Sequence, residues 1–355
     1  MNHRSVLIGM SGGVDSSVAA HLLQQEGYAC VGCNMKLYCL PCGGEDNTAD
    51  ARAVADRLGI PFHVMDFQED FHKNVIGNFI GCYESGRTPN PCIECNRYLK
   101  FGVMLDKALE LGCGYVATGH YAQIRQDPET GRYLMYKAAD QAKDQTYFLY
   151  SLTQHQLAHT LFPLGGLTKG EAREIAEAQN FINARKRDSQ DICFVPDGDY
   201  VKFMKEYTGK SYPQGDYLDL SGKVLGKHQG AVCYTLGQRK GLGIALGAPA
   251  YVCAKDMKNN TVTLGPNDAL FHNALRATDF NWIPFPALTR PLTVTAKIRH
   301  SQHEQEATVY PEEGGTVRVE FTQPQRAITP GQAVVLYQGD LVVGGGTITE
   351  AFTII

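Results

Sequence analysis

Residues 9–17 read Gly9-Met10-Ser11-Gly12-Gly13-Val14-Asp15-Ser16-Ser17, between an apolar run at 5–10 and a helix-period segment at 14–26. A strand that feeds a helix through two adjacent glycines makes a turn whose backbone N–H groups can approach a phosphate without Cβ clashes. Ser11, Ser16 and Ser17 add hydroxyl donors, and the helix behind them contributes the positive end of its dipole. A Walker loop would place Gly-Lys-Ser/Thr here, and the stretch has no lysine. Asp15 repels a phosphate, so its expected work is to hold Mg²⁺ or to orient the loop.

Outward from this turn, apolar runs at 29–35, 61–66 and 115–118 predict strands, and helix-period segments at 47–58, 69–85 and 97–111 predict helices. Strands alternating with helices imply βαβ units and a parallel sheet. Gly27, Gly59 and Gly112, each just behind a helix, fit left-handed C-terminal caps. Beyond about residue 205, Gly, Pro and Thr become dense, with β-branched runs at 292–298, 316–321, 333–337 and 341–348. That texture predicts a small antiparallel barrel. The expected fold is an α/β N-terminal domain with a parallel sheet over 1–205, a central connecting module over 206–270 and a C-terminal antiparallel β-barrel over 271–355.

At 355 residues the chain is too long for one ordinary core. Its 43% hydrophobic and 20% charged residues are a globular profile, and no apolar run reaches the length of a membrane span. The first ten residues enter a strand pattern at once and do not read as a signal peptide. Eleven cysteines in such a chain fit a reducing, cytoplasmic setting where thiols serve metals or chemistry. The net charge is −4, with 20 Lys and Arg against 24 Asp and Glu up to residue 205 and 13 against 13 after it. A global basic field cannot be how this protein holds a polyanion.

Two cysteine stretches stand out. Gly86-Arg87-Thr88-Pro89-Asn90-Pro91-Cys92-Ile93-Glu94-Cys95-Asn96 reads as a rigid, proline-punctuated loop entering the helix predicted over 97–111. A thiol beside a helix N-terminus has its thiolate stabilised by the dipole, with Arg97 near enough to help. Far along the chain, Asp188-Ser189-Gln190-Asp191-Ile192-Cys193-Phe194 presents a second cysteine before an apolar turn. Either alone fits an inert, buried cysteine. Taken with a phosphate loop in the same chain, two poised thiols point to chemistry rather than to packing.

The Ser-Gly-Gly-x-Asp-Ser pattern after the first strand resembles the signature of the PP-loop ATP pyrophosphatases (adenine nucleotide alpha hydrolase-like enzymes). These split ATP between the α and β phosphates and adenylate an oxygen that a nucleophile then displaces. Together with 86–96, Thr118-Gly119-His120-Tyr121-Ala122, Lys143-Asp144-Gln145, 189–194 and the Tyr234-Thr235-Leu236-Gly237-Gln238-Arg239-Lys240-Gly241-Leu242-Gly243 run, the chain is similar, through most of its length, to the bacterial tRNA-specific 2-thiouridylases. That resemblance implies an ATP-dependent tRNA-uridine 2-sulfurtransferase acting on the wobble uridine of tRNAs of the Lys, Glu and Gln types. It implies ATP with Mg²⁺, and a sulfur-donor persulfide protein such as a cysteine desulfurase or a relay protein. It assigns ATP binding to Gly9, Met10, Ser11, Gly12, Gly13, Val14, Asp15, Ser16, Met35 and Gly119. Cys95 becomes the nucleophile and Cys193 the persulfide carrier. Asn90, Pro91, Cys92, His120, Lys143, Asp144, Gln145, Arg299, His300 and Gln332 become tRNA contacts. The target base must leave its stack to reach the site.

The chain departs from the family pattern at Cys92, where many members carry aspartate. With Cys39-Leu40-Pro41-Cys42 upstream, two C-x-x-C pairs have the spacing of Zn²⁺ or iron–sulfur ligands. Three readings stay open: an iron–sulfur (4Fe–4S) cluster on Cys92, Cys95 and Cys193, a zinc site, or reduced thiols in loops. Arg185-Lys186-Arg187 is either a basic patch or a solvated helix end. Trp282 and Phe285 are expected in the barrel core. Two other classes compete for the whole chain. An amide- or guanidine-forming synthetase leaves both cysteines without work. An RNA-binding protein with an ATP switch leaves the thiols as mere metal ligands.

Overall fold

The computed structural model describes residues 2–37, 48–186 and 192–354. The Cys39–Cys42 pair, Arg187 and residues 188–191, all singled out above, lie outside the described residues.

The expected parallel sheet is present. β1 (Asn2–Gly9), β2 (Ala29–Lys36), β3 (Phe62–Asp66), β4 (Cys113–Ala117) and a two-residue strand Thr160–Leu161 align in the order β3-β2-β1-β4, with Thr160–Leu161 outermost. Side chains alternate across a strand, and both faces are covered. Val6 and Ile8 pack with the helices α1 (Val14–Gln25) and α2 (Thr48–Leu58), while Leu7 joins the core under helices 68–84 and 91–110. The strand order reverses between β1 and β4. Ligands of such sheets gather in the crevice outside the carboxyl ends of strands at that reversal.

One local reading is corrected. The helix expected over 97–111 begins at Pro91, which sits in its first turn, and runs to Glu110 with a wide π-helical stretch over Cys95–Val103. Proline at the first helical position has the right φ and no N–H to waste, so the second proline of the stretch starts the helix rather than ending a loop. Cys92 and Cys95 therefore stand on the helix. A hairpin that the sequence reading did not mark, Gln123–Gln126 with Tyr133–Tyr136, pairs through Tyr136 with Leu341 of the last barrel strand.

Residues 215–265 hold a separate four-stranded sheet of Gly215–Leu218, Val224–His228, Tyr251–Asp256 and Thr261–Gly265. The C-terminal barrel is antiparallel, and its first strand, Phe271–Trp282, closes it by pairing with its last, Leu341–Phe352. Its interior is built from Leu275, Val294, Val319, Val334, Leu336 and Ile348. Trp282 and Phe285 pack against that core, as their composition suggested. The barrel also shares a core with the N-terminal domain, where Ala333, Val335 and Tyr337 cluster with Tyr147 and Tyr150. Among the described residues no helix is long and apolar enough to cross a membrane.

Candidate functional site

The phosphate loop sits at the reversal point of the sheet. Gly12 takes φ +73°, in the left-handed region where glycine is at home. Gly13 then caps α1 without any side-chain hydrogen bond to the helix's first turn, so the N–H groups of that turn face outward for an anion. The loop closes on itself. The Ser11 N–H donates to Ser16 Oγ (3.2 Å), and the Ser16 and Ser17 hydroxyls both donate to the Gly13 carbonyl (3.1 and 3.0 Å). Asn183 donates to the Gly12 carbonyl (3.0 Å) and to Ser17 Oγ (2.9 Å) from beneath. Beside the loop, Asn34 anchors the Met10 carbonyl at 2.9 Å, one residue before Met35 at the end of β2.

Asp15 does not stand open for a metal ion. Lys169 Nζ lies 2.8 Å from each of its oxygens, and the Tyr121 hydroxyl donates to Oδ1 at 2.8 Å. Of the two tasks expected for Asp15, orienting the loop is the one these contacts serve, and no step below is routed through Mg²⁺. Lys169 follows Thr168, which closes a full capping box with Glu171. Tyr121 is in turn pinned to Gln145, whose side-chain oxygen accepts from the Tyr121 N–H at 2.9 Å. Nothing in the sequence pairs residue 15 with residue 169. The Thr-Lys-Gly-Glu helix start at 168–171 was the only local signal.

Gly119 passes close to the loop itself. A Cβ on Gly119 would stand 2.6 Å from the Asp15 carbonyl carbon and 2.7 Å from the Ser16 nitrogen. The backbone after β4 is thus pressed against the phosphate loop, and only glycine permits it. The next residue, His120, turns away into an aromatic pocket. Its ring lies 5.8 Å from that of Phe101 and 5.9 Å from that of Phe162, and Nδ1 meets Thr118 Oγ1 at 2.7 Å. Burial, and secondarily the charge of Lys100, hold this imidazole well below its usual pKa, so it is neutral at neutral pH.

Lys100 also acts on three cysteine thiols. Burial raises the thiols of Cys92, Cys95 and Cys193, and at each of them Lys100 pulls the other way. Cys193 is pushed up to about 12, by burial first and then by the charges of Cys95 and Cys92. The three sulfurs thus share one electrostatic neighbourhood, although Cys193 is far away in sequence. Cys92 and Cys193 keep solvent-accessible surface, and Cys95 is half-buried. The expectation of low-pKa thiols at a helix start, aided by Arg97, is corrected. Arg97 is spent on Asp279, 2.7 Å away, and Lys100 is the cation that acts on all three thiols. In the widened helix Lys100 follows Cys95 by five residues, the spacing that a π-turn brings together.

Among the described residues, no three His, Cys, Asp or Glu side chains converge closely enough to hold a metal ion. The expected set of Cys92, Cys95 and Cys193 does not form a ligand cage, and no step is derived through a cluster or a zinc ion.

The residues expected at the tRNA divide. Lys143 is partly exposed, and Asn90 precedes the helix that carries Cys92 and Cys95. Pro91 is buried. Asp144 turns inward, accepting from the Ala138 N–H (3.1 Å) and Thr146 Oγ1 (2.6 Å). Arg299 donates to the Ala327 carbonyl (2.7 Å) and to Thr329 Oγ1 (3.2 Å). The His300 ring lies 4.4 Å from the Phe148 ring. Gln332 donates to the carbonyls of Thr88 and Pro89. In the basic cluster, Lys186 pairs with Asp50 at 2.8 Å, and the exposed Arg185 lies 3.5 Å from Glu177.

Comparison with known proteins matches residues 4–197 to a model described as the tRNA methyl transferase HUP domain, residues 201–266 to a tRNA methyl transferase PRC-barrel domain, and residues 272–348 to an aminomethyltransferase beta-barrel domain. The chain is 50% identical to the tRNA-specific 2-thiouridylase MnmA of Acetivibrio thermocellus, over 98% of this chain and 100% of that one. It is 51% identical to the protein of that name from Symbiobacterium thermophilum, over 98% and 93%. The Clostridioides difficile protein is 48% identical over 98% and 99%. At this identity over nearly the full length of each relative, the chain belongs to the tRNA-specific 2-thiouridylase family.

Proposed function

We propose that this chain adenylates the C2 oxygen of the wobble uridine of tRNA with ATP and replaces that oxygen with sulfur carried on Cys193. The observation that carries the reading is the Gly119–His120 step. Gly119 presses on the phosphate loop, and His120 lies in the field of the same Lys100 that acts on all three thiols. The place for a triphosphate and the place for sulfur are thereby neighbours.

ATP lies with its phosphates on the open N–H groups of residues 12–16, beside Met35 and Gly119. The uridine C2 oxygen attacks the α phosphorus and pyrophosphate leaves. A donor protein passes its sulfane sulfur to the Cys193 thiolate, giving a persulfide and a reduced donor. The terminal sulfur attacks C2, the C2–O bond breaks and AMP departs with the oxygen. Cys95 loses its proton to solvent and attacks the Cys193 sulfur. The S–S bond to the base breaks with its electron pair staying on the uridine sulfur, leaving 2-thiouridine and a Cys95–Cys193 disulfide that an external dithiol reduces. The exposed Cys92, at the start of the helix that carries Cys95, lies on the side from which the flipped base arrives.

Pyrophosphate release measured with matched tRNAs tests this. It should require uridine at the wobble position, and equal release with cytidine there would sink the reading. Cys193→Ser should still release pyrophosphate and form no 2-thiouridine. Loss of both would mean that Cys193 supports the fold rather than the sulfur.

A further inference from the structure

The nucleophile helix is held from outside its own domain. Between the barrel strands Val317–Arg326 and Ala333–Gln338, the turn Thr329-Pro330-Gly331-Gln332 grips the segment just before Cys92. The Pro330 carbonyl accepts from the Thr88 N–H at 2.9 Å. The Gln332 amide donates to the Thr88 carbonyl at 3.1 Å and to the Pro89 carbonyl at 3.0 Å. Gly331, at φ +91°, leaves no room between them, since a Cβ there would stand 2.8 Å from the Thr88 oxygen and 2.9 Å from its nitrogen. The turn is itself fixed to the barrel, with the Gly331 N–H on the Ile348 carbonyl and the Ile348 N–H on the Gln332 carbonyl, both at 2.8 Å. Pro89 is followed by Asn90 and by Pro91 in the first helical turn, so where these two carbonyls are held decides where Cys92 and Cys95 stand.

Two side chains of the barrel back this arrangement. Arg299 is hydrogen-bonded to Thr329, in the gripping turn. His300 packs on Phe148, whose carbonyl accepts from Asn96 at 3.0 Å, and Asn96 adjoins Cys95. The start and the second turn of the nucleophile helix are each reached from the Arg299–His300 pair.

We infer that Gln332 and Gly331 are positioning residues for sulfur transfer, through which the barrel sets the place of Cys95. This rests on the proposed function for the tRNA and for the role of Cys95. A nucleophile displaced by about an ångström can lose on the order of 100-fold in rate, whereas the interactions that bind ATP and tRNA elsewhere are untouched.

Gln332→Ala in the full chain is the test, with ATP binding as the check that the fold is intact. Single-turnover thiolation at saturating tRNA should fall about 10- to 100-fold while the Kd for tRNA stays where it was. In the free enzyme Cys95 should be alkylated by iodoacetamide faster than in the parent. Gly331→Ala, which keeps every hydrogen-bonding group and only displaces the segment, should give the same pattern. A rise in the tRNA Kd matching the loss of rate would make Gln332 an RNA contact and overturn the inference, as would unchanged thiolation and unchanged alkylation. If the parent enzyme makes no 2-thiouridine, the proposed function falls, and Cys95 alkylation in the free enzyme still decides whether the barrel positions that helix.

Discussion

The phosphate loop and the sulfur site solve opposite problems with opposite means. The turn of the loop is local: Ser11, Gly13, Ser16 and Ser17 hydrogen-bond among themselves, while Asn183, Lys169, Tyr121 and the backbone at Gly119 support it from outside. The sulfur site is assembled from afar. Cys92 and Cys95 come from one helix and Cys193 from a later segment, while a barrel turn more than 230 residues downstream fixes the helix entrance. Binding a phosphate asks for many weak N–H groups at fixed spacing, which one turn of chain can supply. Moving sulfur between thiols asks for side chains that approach and separate, which is easier when they belong to different elements.

Three experiments press on this contrast. Lys169→Met should cut pyrophosphate release by roughly 100-fold or more, by analogy with the loss of one preorganised charge partner in an active site. A double variant with Asp15→Asn should be no worse than the worse single one, because the two act as a unit. Additive losses, measured in the same assay, would show that Lys169 has work apart from Asp15. Gly119→Ala should come next. Its Cβ overlaps backbone rather than a yielding side chain, and overpacking of that kind costs about 1–3 kcal/mol. That is roughly 5- to 150-fold in the Kd for ATP, and calorimetric titration would detect it. Unchanged affinity would mean the strand end can retreat from the loop.

The smallest effect concerns the thiols. Because burial places the Cys193 thiol near 12, it is protonated at neutral pH, and alkylation should climb about tenfold per pH unit through the alkaline range. Lys100→Met removes the charge that favours the thiolate, so alkylation at a fixed pH should slow by roughly 3- to 10-fold. A plateau below pH 9 in the parent would contradict a crowded, high-pKa thiol. A faster reaction in the variant would contradict the placing of Lys100.

Much of the fold was legible in the sequence because its signals are local. The glycine turn at 12–13, the strand alternation and the glycines at helix ends each act within a few residues. What failed was legible only in part. Pro89 and Pro91 look alike as punctuation, yet Pro91 starts the helix and puts both cysteines on it. Thr160–Leu161 is too short to carry a pattern. Arg97 looked like the cation of the sulfur site by its nearness in sequence, but Asp279 claims it and Lys100 takes that place.

The sequence by itself determined the phosphate loop, the parallel sheet, the presence of a C-terminal barrel and the cysteines that could carry sulfur. Only the tertiary structure decided which charges meet them. The ion pair of Lys169 with Asp15, the common field of Lys100 over three thiols, and the grip of Gln332 on the Thr88 and Pro89 carbonyls all join residues that no local pattern links. Backbone conformation responds to nearest neighbours along the chain, whereas electrostatic partners are chosen by proximity in space. A linear reading therefore reaches the first and stops short of the second.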